Sequence, residues 1–177
     1  MSKKYELVVD DTITFWGWKL FRIRALISFG SVDAGDLGGY IYTEDNLSQE
    51  GNAWVSGDAK VWGNAKVSGN AKVWGNAEVS GNAKVWGNAK VSGNAEVSGN
   101  AEVSDLGDVI IFKNHWSSGR HFTYTKSNKM WKVGCFYGTG QELIDKACQD
   151  NDKSGNYYKA YVEFVEKLEA LDEPKRP

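Results

Sequence analysis

The chain has 177 residues, a length that suits one domain or a small composite of two. Its formal net charge of −2 excludes a strong overall electrostatic attraction to nucleic acid, so we expect no nucleic-acid partner. Hydrophobic residues make up 41% of the chain, yet no stretch approaches the roughly 18 consecutive apolar residues of a membrane span. The start of the chain also lacks an apolar run of signal-peptide length, so we expect a cytoplasmic protein with no membrane contact.

The sequence pattern of residues 1–38 predicts an N-terminal β cap. Three stretches, YELVV, TITFW and KLFRIRALI, combine apolar and polar residues in the alternation typical of strands. Gly17 and Trp18 separate the last two stretches and indicate a hairpin turn. The expected role of this segment is to cover the first turn of the repeat that follows, because an open end would expose strand edges.

From Gly51 to Ser104 the chain is a repeat of nine six-residue blocks. The third and fifth residues of each block are alanine and valine, and a spacing of two places both on one face of a short strand. Each block opens with Gly-Asn or Gly-Asp, which favours a tight corner because these residues tolerate unusual backbone conformations. A helix would need apolar spacings of three and four. The blocks are GNAWVS, GDAKVW, GNAKVS, GNAKVW, GNAEVS, GNAKVW, GNAKVS, GNAEVS and GNAEVS.

Short strands joined by corners every six residues predict a coil in which each block is one side of a triangular prism. This pattern resembles the hexapeptide-repeat, left-handed parallel β-helix family, whose motif places an aliphatic residue inside and a small residue two positions earlier. The predicted fold class is mainly β: a left-handed parallel β-helix of about three regular turns over residues 39–110, followed by a C-terminal β/α segment over 111–177. Leu37 is in phase for an earlier turn, whereas Ile41 and Leu47 are out of phase.

Four tryptophans of the repeat are the candidate binding residues. A turn of three blocks distributes Trp62, Trp74 and Trp86 over three faces of the prism, and Trp54 occupies the other outward position of its block. Exposed tryptophans dominate protein interfaces, which favours contact with another protein or between copies of this chain. The alternative is that each ring packs on a neighbouring strand or under a flanking segment. Because hexapeptide-repeat proteins commonly pack prism faces into trimers, the resemblance also implies a homo-oligomer.

The C-terminal segment predicts strands followed by two helices. The stretches DVIIFKN, HFTYTKS and MWKVGCFYG have the alternation of strands. The sequence TGQE, beginning at Thr139, has the spacing of a capping box and predicts the start of a first helix. A second helix is expected from about Asn156 to Leu171. Cys135 and Cys148 form no CxxC motif, and we expect two free, buried thiols.

No catalytic residue, metal ligand or cofactor site is predicted. Hexapeptide-repeat acyltransferases use a histidine as general base, and the two histidines of this chain, His115 and His121, both follow the repeat. A zinc hydratase on this type of prism would need three histidine ligands per site. The stretch DNDKSGN begins like a calcium loop, but Tyr161 stands where such a loop needs a glutamate, so a connector between helices is favoured.

The flanks and the repeat together resemble small hexapeptide-repeat proteins encoded in bacteriophages and prophages. The resemblance implies a genomic setting more than a mechanism. The favoured hypothesis is a non-enzymatic protein that binds a host or phage protein, as an inhibitor of a bacterial defence system such as a CRISPR-type nuclease complex. The alternatives are a structural component of a phage particle or surface assembly, and an acyltransferase that uses His115 or His121. The stretches that carry the resemblance are YELVVDDTITFWGWKLFRIRALISFGSVDAGDLGGYI, NLSQEGNAWV, the GNAxV blocks and KVGCFYGTGQEL.

Overall fold

The computed structural model describes residues 2–173. It is mainly β, and its centre is a β-solenoid in which short parallel strands stack turn upon turn. The predicted parallel β-coil is therefore confirmed, while its left-handed sense stays a prediction. The solenoid has about four turns, because residues before Gly51 add a first turn to the regular ones. Within residues 2–173, neither helix combines the length and the apolar composition that a membrane crossing requires.

The N-terminal segment forms the predicted hairpin. Strand β1 (Tyr5–Phe15) pairs antiparallel with β2 (Trp18–Ala25), and β2 pairs antiparallel with β3 (Leu37–Ile41). The turn between β1 and β2 is Trp16-Gly17, one residue earlier than the predicted Gly17-Trp18, because Trp18 pairs with Phe15; the φ values of the turn are 51° and 82°. Two positive φ values match the twist of a two-residue hairpin. Strand β3 then joins the solenoid, so the hairpin extends one of its sheets.

Nine two-residue strands form the regular part of the solenoid. Each strand is the fourth and fifth residue of a block, so its valine points inward and the residue before it points outward. The alanines and valines of the blocks are at most 1% exposed, which confirms the predicted interior. The strands are β4 (Trp54–Val55), β5 (Lys60–Val61), β6 (Lys66–Val67), β7 (Lys72–Val73), β8 (Glu78–Val79), β9 (Lys84–Val85), β10 (Lys90–Val91), β11 (Glu96–Val97) and β12 (Glu102–Val103).

Strands from successive turns pair in parallel and form three sheets, which we call faces. Face 1 consists of β4, β7 and β10, face 2 of β3, β5, β8 and β11, and face 3 of β6, β9 and β12. The pairing joins residues 18 apart, for example Val55 with Val73, as three blocks per turn require. The outward residues of one face therefore stand in columns along the prism.

The first turn has a different register from the regular turns. Ile41 pairs with Val61 and Leu47 bridges to Val67, so the spacing is 20 residues rather than 18. Both side chains are almost completely buried, whereas Leu37 is 55% exposed. The prediction that Leu37 is the in-phase residue is wrong, because two extra residues between Leu47 and the repeat shift the register of the whole first turn.

Side-chain donors terminate the first turn. Backbone N–H groups of each turn donate to carbonyls of the next, so β4 in the first turn receives no donor from an earlier turn. The buried ammonium of Lys4 donates to the carbonyl oxygen of Ala53 at 2.8 Å and to that of Gly51 at 3.4 Å. The carboxamide of Asn46 donates to two carbonyls of the second turn, those of Gly63 and Ala65.

The C-terminal segment is a four-stranded antiparallel sheet with two helices packed on it. A second core forms between sheet and helices around Phe122, Trp131, Leu143, Tyr158 and Val165. The elements are β13 (Val109–Lys113), β14 (His121–Thr125), β15 (Met130–Val133), β16 (Phe136–Gly138), α1 (Gly140–Asp150) and α2 (Asp152–Asp172). The last four residues of the predicted segment 111–177 lie outside the described part of the chain.

Two expectations about this segment are wrong. The stretch MWKVGCFYG is a hairpin rather than one strand, because Gly134 turns the chain with a φ of 56°. Cys135 and Cys148 are both exposed. Cys135 lies in that turn, outside either strand, and Cys148 lies near the end of α1, so neither thiol enters a core.

The helix starts follow from capping residues. Thr139 caps α1 and forms the predicted capping box with Glu142. Helix α2 begins at Asp152, earlier than the expected Asn156. The side chain of Asn151 accepts the N–H of Ser154, so most of DNDKSGN is the first turn of a helix rather than a connector.

We expect Lys4→Met to destabilise the protein by about 2 kcal/mol, because carbonyls at the first turn lose their donor. Burial lowers the pKa of Lys4 from 10.5 to about 8. Since the pKa is lower in the folded state, unfolding takes up a proton between these values. The stability of the unsubstituted protein relative to Lys4→Met should therefore rise as the pH increases from 8 to 10.5. Urea denaturation measures this difference, and a constant difference across the interval would contradict the prediction.

A pair of corner glycines tests how tightly the turns stack. Gly75 has a φ of 69°, and a Cβ there would lie 3.1 Å from the backbone nitrogen of Gly93. Gly93 has a φ of 62°, but a Cβ there would meet nothing within 4 Å. We expect Gly93→Ala to cost about 1 kcal/mol and Gly75→Ala about 2–3 kcal/mol, measured by urea denaturation. Equal losses would show that neighbouring corners are not in close contact.

Candidate functional site

The structure distributes the four candidate tryptophans over all three faces. The strand register confirms the predicted columns, in which Trp54 stands beside Lys72 on face 1. Trp74 follows β7 on face 1, Trp62 follows β5 on face 2, and Trp86 follows β9 on face 3. Only Trp54 and Trp74 therefore share a face, and the four rings form no single ladder.

Two of these tryptophans pack under the N-terminal segment. Trp54 is 6% exposed, and its ring contacts the edges of Tyr5 at 6.3 Å and Phe29 at 5.4 Å between centroids. The half-buried ring of Trp62 packs against Phe15 at 5.2 Å. These contacts attach the hairpin and the loop after it to the solenoid.

An open groove on face 1 brings Trp54 and Trp74 together with two lysines. We call it the Trp74 groove, and its volume is about 700 Å³. Trp54 and Val32 form its apolar base, and both are buried. Trp74 is 37% exposed, so its ring offers a free surface beside the base. The residues that line the groove are Gly30, Ser31, Val32, Asn52, Trp54, Ser56, Asn70, Lys72, Trp74 and Lys90.

The Trp74 groove carries positive charge. Lys72 and Lys90 are exposed, and none of the lining residues is acidic. Neither lysine forms an ion pair within residues 2–173. The Lys72 ammonium makes one long hydrogen bond, 3.4 Å to the hydroxyl of Ser31. An apolar base with an exposed indole and two free ammonium groups suits a ligand that carries carboxylates beside an apolar or aromatic group.

A second recess lies on face 2 under the tip of the N-terminal hairpin. We call it the hairpin cleft, and it has a volume of about 250 Å³. Trp16, at the tip, is 73% exposed and has a positive φ. A bulky residue in this conformation is uncommon, and here the two-residue hairpin turn imposes it. The main lining residues are Trp16, Trp62, Glu78, Glu96, Lys132 and Cys135.

Sequence reasoning did not single out Trp16. The available signal was the sequence Trp-Gly at the hairpin turn, since a two-residue hairpin turn places both side chains at the tip. The contact between this tip and face 2 depends on how the hairpin docks on the solenoid. The sequence around the turn does not predict that docking.

Two carboxylates lie side by side in the hairpin cleft. Glu78 and Glu96 are paired residues on neighbouring strands of face 2. Burial raises the pKa of Glu78, and the charge of Glu96 raises it further against the opposing effect of Lys60. Burial also raises the pKa of Glu96, against the nearby ammonium of Lys132, which lies 4.0 Å from the carboxylate. The cleft is thus a partly desolvated site with charges of both signs.

The two histidines occupy different surroundings. His121 begins β14 of the C-terminal sheet, and its Nδ1 lies 3.1 Å from the carboxamide nitrogen of Asn94 in the solenoid. His115 contacts the edges of Trp116 and Tyr157 in the C-terminal segment. Within residues 2–173, no three histidine, cysteine, aspartate or glutamate side chains gather as a metal site would require.

A comparison with models of known protein families finds no match for this chain. A comparison with curated protein sequences also finds none.

We expect Glu78→Gln to stabilise the protein near neutral pH. The pKa of Glu78 is raised in the folded state, so folding disfavours its charged form. The stability of the unsubstituted protein therefore falls as the pH rises through the titration of this carboxyl. The gain of the variant should therefore shrink as the pH is lowered through that range. Thermal unfolding at several pH values measures it, and Glu102→Gln on face 3 controls for the change in net charge. A gain independent of pH would contradict the assignment.

Proposed function

We propose that this protein is not an enzyme and acts by binding another protein through the Trp74 groove. The observation that carries the proposal is the exposed indole of Trp74 beside Lys72 and Lys90, two lysines without an ion pair in the described chain. Tryptophan is the residue type most enriched at interface hot spots. Unpaired lysines on the same surface attract an acidic partner and align it during encounter.

The prism supports this function because it holds the groove rigidly. Trp74 follows the central strand of face 1, and its neighbours Val73 and Ala71 are completely buried. Backbone N–H groups of Trp54, Ser56, Lys72 and Trp74 donate to carbonyls of the next turn. Little conformational freedom is therefore left to lose when a partner binds, and this favours affinity.

We propose that the partner belongs to a bacterial defence system, with a CRISPR-type nuclease complex as the leading candidate. The support is the resemblance of the flanks and the repeat to phage- and prophage-encoded hexapeptide-repeat proteins. A phage protein of this kind acts in the cytoplasm of the host bacterium, where it meets such complexes. Occupying a surface that the complex needs would be sufficient for inhibition, and no catalytic group is required.

We expect Trp74→Ala to weaken binding of the captured partner at least about 30-fold, the effect of losing a hot-spot side chain. Trp86→Ala is the matched control, because it removes the same ring from face 3. The partner is captured from a host lysate with the unsubstituted protein, identified by mass spectrometry and titrated by calorimetry against all three proteins.

Equal affinities for the two variants would contradict the proposal that the groove is the binding site, and so would the absence of any specific partner. Light scattering on the same proteins distinguishes self-association. If Trp74→Ala lowers the mass of the free protein, the groove is a contact between copies of the chain and not the site for another protein.

A further inference from the structure

The hairpin cleft lies between three separate parts of the chain. Two outward columns of face 2, one of glutamates and one of serines, form its floor. Trp62 lines the cleft from an earlier turn of the solenoid, and Trp16 lines it from the tip of the N-terminal hairpin. The turn between β15 and β16 lines the remaining side. The floor residues are Glu78, Glu96, Ser80 and Ser98.

Small side chains leave the space for this cleft. The residue that follows the central strand is Trp74 on face 1 and Trp86 on face 3, whereas on face 2 it is Ser80. Ser98 then follows the last strand of face 2. Because neither serine fills the space beside the glutamates, the carboxylates face a recess instead of a neighbouring indole.

Glu78 is the charge in the cleft that the chain does not pair. Among residues 2–173 its carboxylate forms no salt bridge, whereas that of Glu96 lies 4.0 Å from the ammonium of Lys132. Lys60, the neighbour of Glu78 in the column, points its ammonium at the ring of Phe15, 4.9 Å from the centroid, and donates to a backbone carbonyl. The lining of the cleft therefore keeps one uncompensated negative charge.

A hydroxyl group in the floor also lacks a partner. The Oγ atom of Ser98 is buried and makes no hydrogen bond in the part of the chain that the structure describes. Buried polar atoms are almost always paired, so an unpaired one indicates a place where water or a ligand completes the pairing. A free carboxylate and an unpaired hydroxyl oxygen both accept hydrogen bonds, so they suit a ligand with several donors.

We propose that the hairpin cleft binds an arginine side chain of another protein. The guanidinium group carries a positive charge, has several N–H donors in one plane and stacks on aromatic rings. Its donors pair with the carboxylate of Glu78, and its plane lies against the indole of Trp16, which is 73% exposed. This inference goes beyond the proposed function, because the cleft is on face 2 and the Trp74 groove is on face 1.

The surroundings of the cleft favour an arginine residue over other cations. An ammonium group is compact and strongly hydrated, so it loses more hydration than a guanidinium group on entering a recess between two indoles. The cleft also adjoins a wider recess of about 490 Å³, which shares Trp16, Glu78 and Glu96 with it. Asn94 and Arg120 line this wider recess and can donate to the backbone carbonyls of a bound residue.

Blocked amino acids test the cleft directly. The probe is N-acetyl-arginine amide, and the control is N-acetyl-citrulline amide, which has nearly the same shape without the charge. Each is titrated into the ¹⁵N-labelled full chain, and the indole N–H signals are followed by NMR. We expect the arginine compound to shift the signals of Trp16 and Trp62 first, and to bind at least about tenfold more tightly than the citrulline compound. Equal binding of the two compounds, or unchanged signals of both indoles, would overturn the inference.

Two variants test the groups that hold the guanidinium. We expect Glu78→Gln to weaken binding of N-acetyl-arginine amide at least about tenfold, because it removes the unpaired charge. Trp16→Asn removes the ring and creates the Asn-Gly sequence that suits this turn, so it should weaken binding at least about threefold without unfolding the hairpin. Glu102→Gln and Trp86→Ala make the same kinds of change on face 3 and should bind like the unsubstituted protein. If the two face 2 variants also bind normally, the proposal is wrong.

Further probes separate the possible occupants. Methylguanidinium has no backbone, so it should bind more weakly than N-acetyl-arginine amide, and equal binding would mean that the cleft takes a free cation instead of a protein residue. Tighter binding of N-acetyl-lysine amide would contradict the assignment to arginine. Trp74→Ala should leave binding of the arginine compound unchanged, so failure of this inference and failure of the proposed function are measured independently.

Discussion

The structure depends on the pairing of backbone N–H and carbonyl groups between successive turns of the solenoid. Each strand is only two residues long, so one turn cannot hold its shape without its neighbours. Alanine and valine make this stacking possible, because they fill the interior completely while leaving the strands close together. The pairing also gives the solenoid a direction, since the N–H groups of each turn donate to carbonyls of the next turn.

The flanking segments supply hydrogen-bonding partners to the two ends of the solenoid. A donor meets the carbonyl end, where the ammonium of Lys4 takes the place of a missing turn at Ala53. Acceptors meet the amide end, where Thr123 and Ser127 do the same. Lys4 is buried to fill this role, and its lowered pKa reflects the cost of placing an ammonium there.

The repeat also explains why particular outward side chains share a face of the solenoid. The period of the solenoid fixes which outward residues share a column, and the N-terminal segment then covers some of them. It packs over Trp54 and Trp62, but it leaves Trp74 exposed between Lys72 and Lys90. A rigid surface with a few exposed anchors suits recognition of another protein better than chemistry on a small substrate.

The sequence alone determined the solenoid, because Ala-x-Val every six residues with Gly-Asn corners is compatible with few other folds. It also determined the columns of outward residues and the Thr139 cap, which follow from spacing and local hydrogen bonding. Only the tertiary structure decided the register of the first turn, where two extra residues place Ile41 and Leu47 inside instead of Leu37. It alone decided which tryptophans are covered, because this depends on how the flanks dock, and docking is set by contacts between residues far apart in the chain.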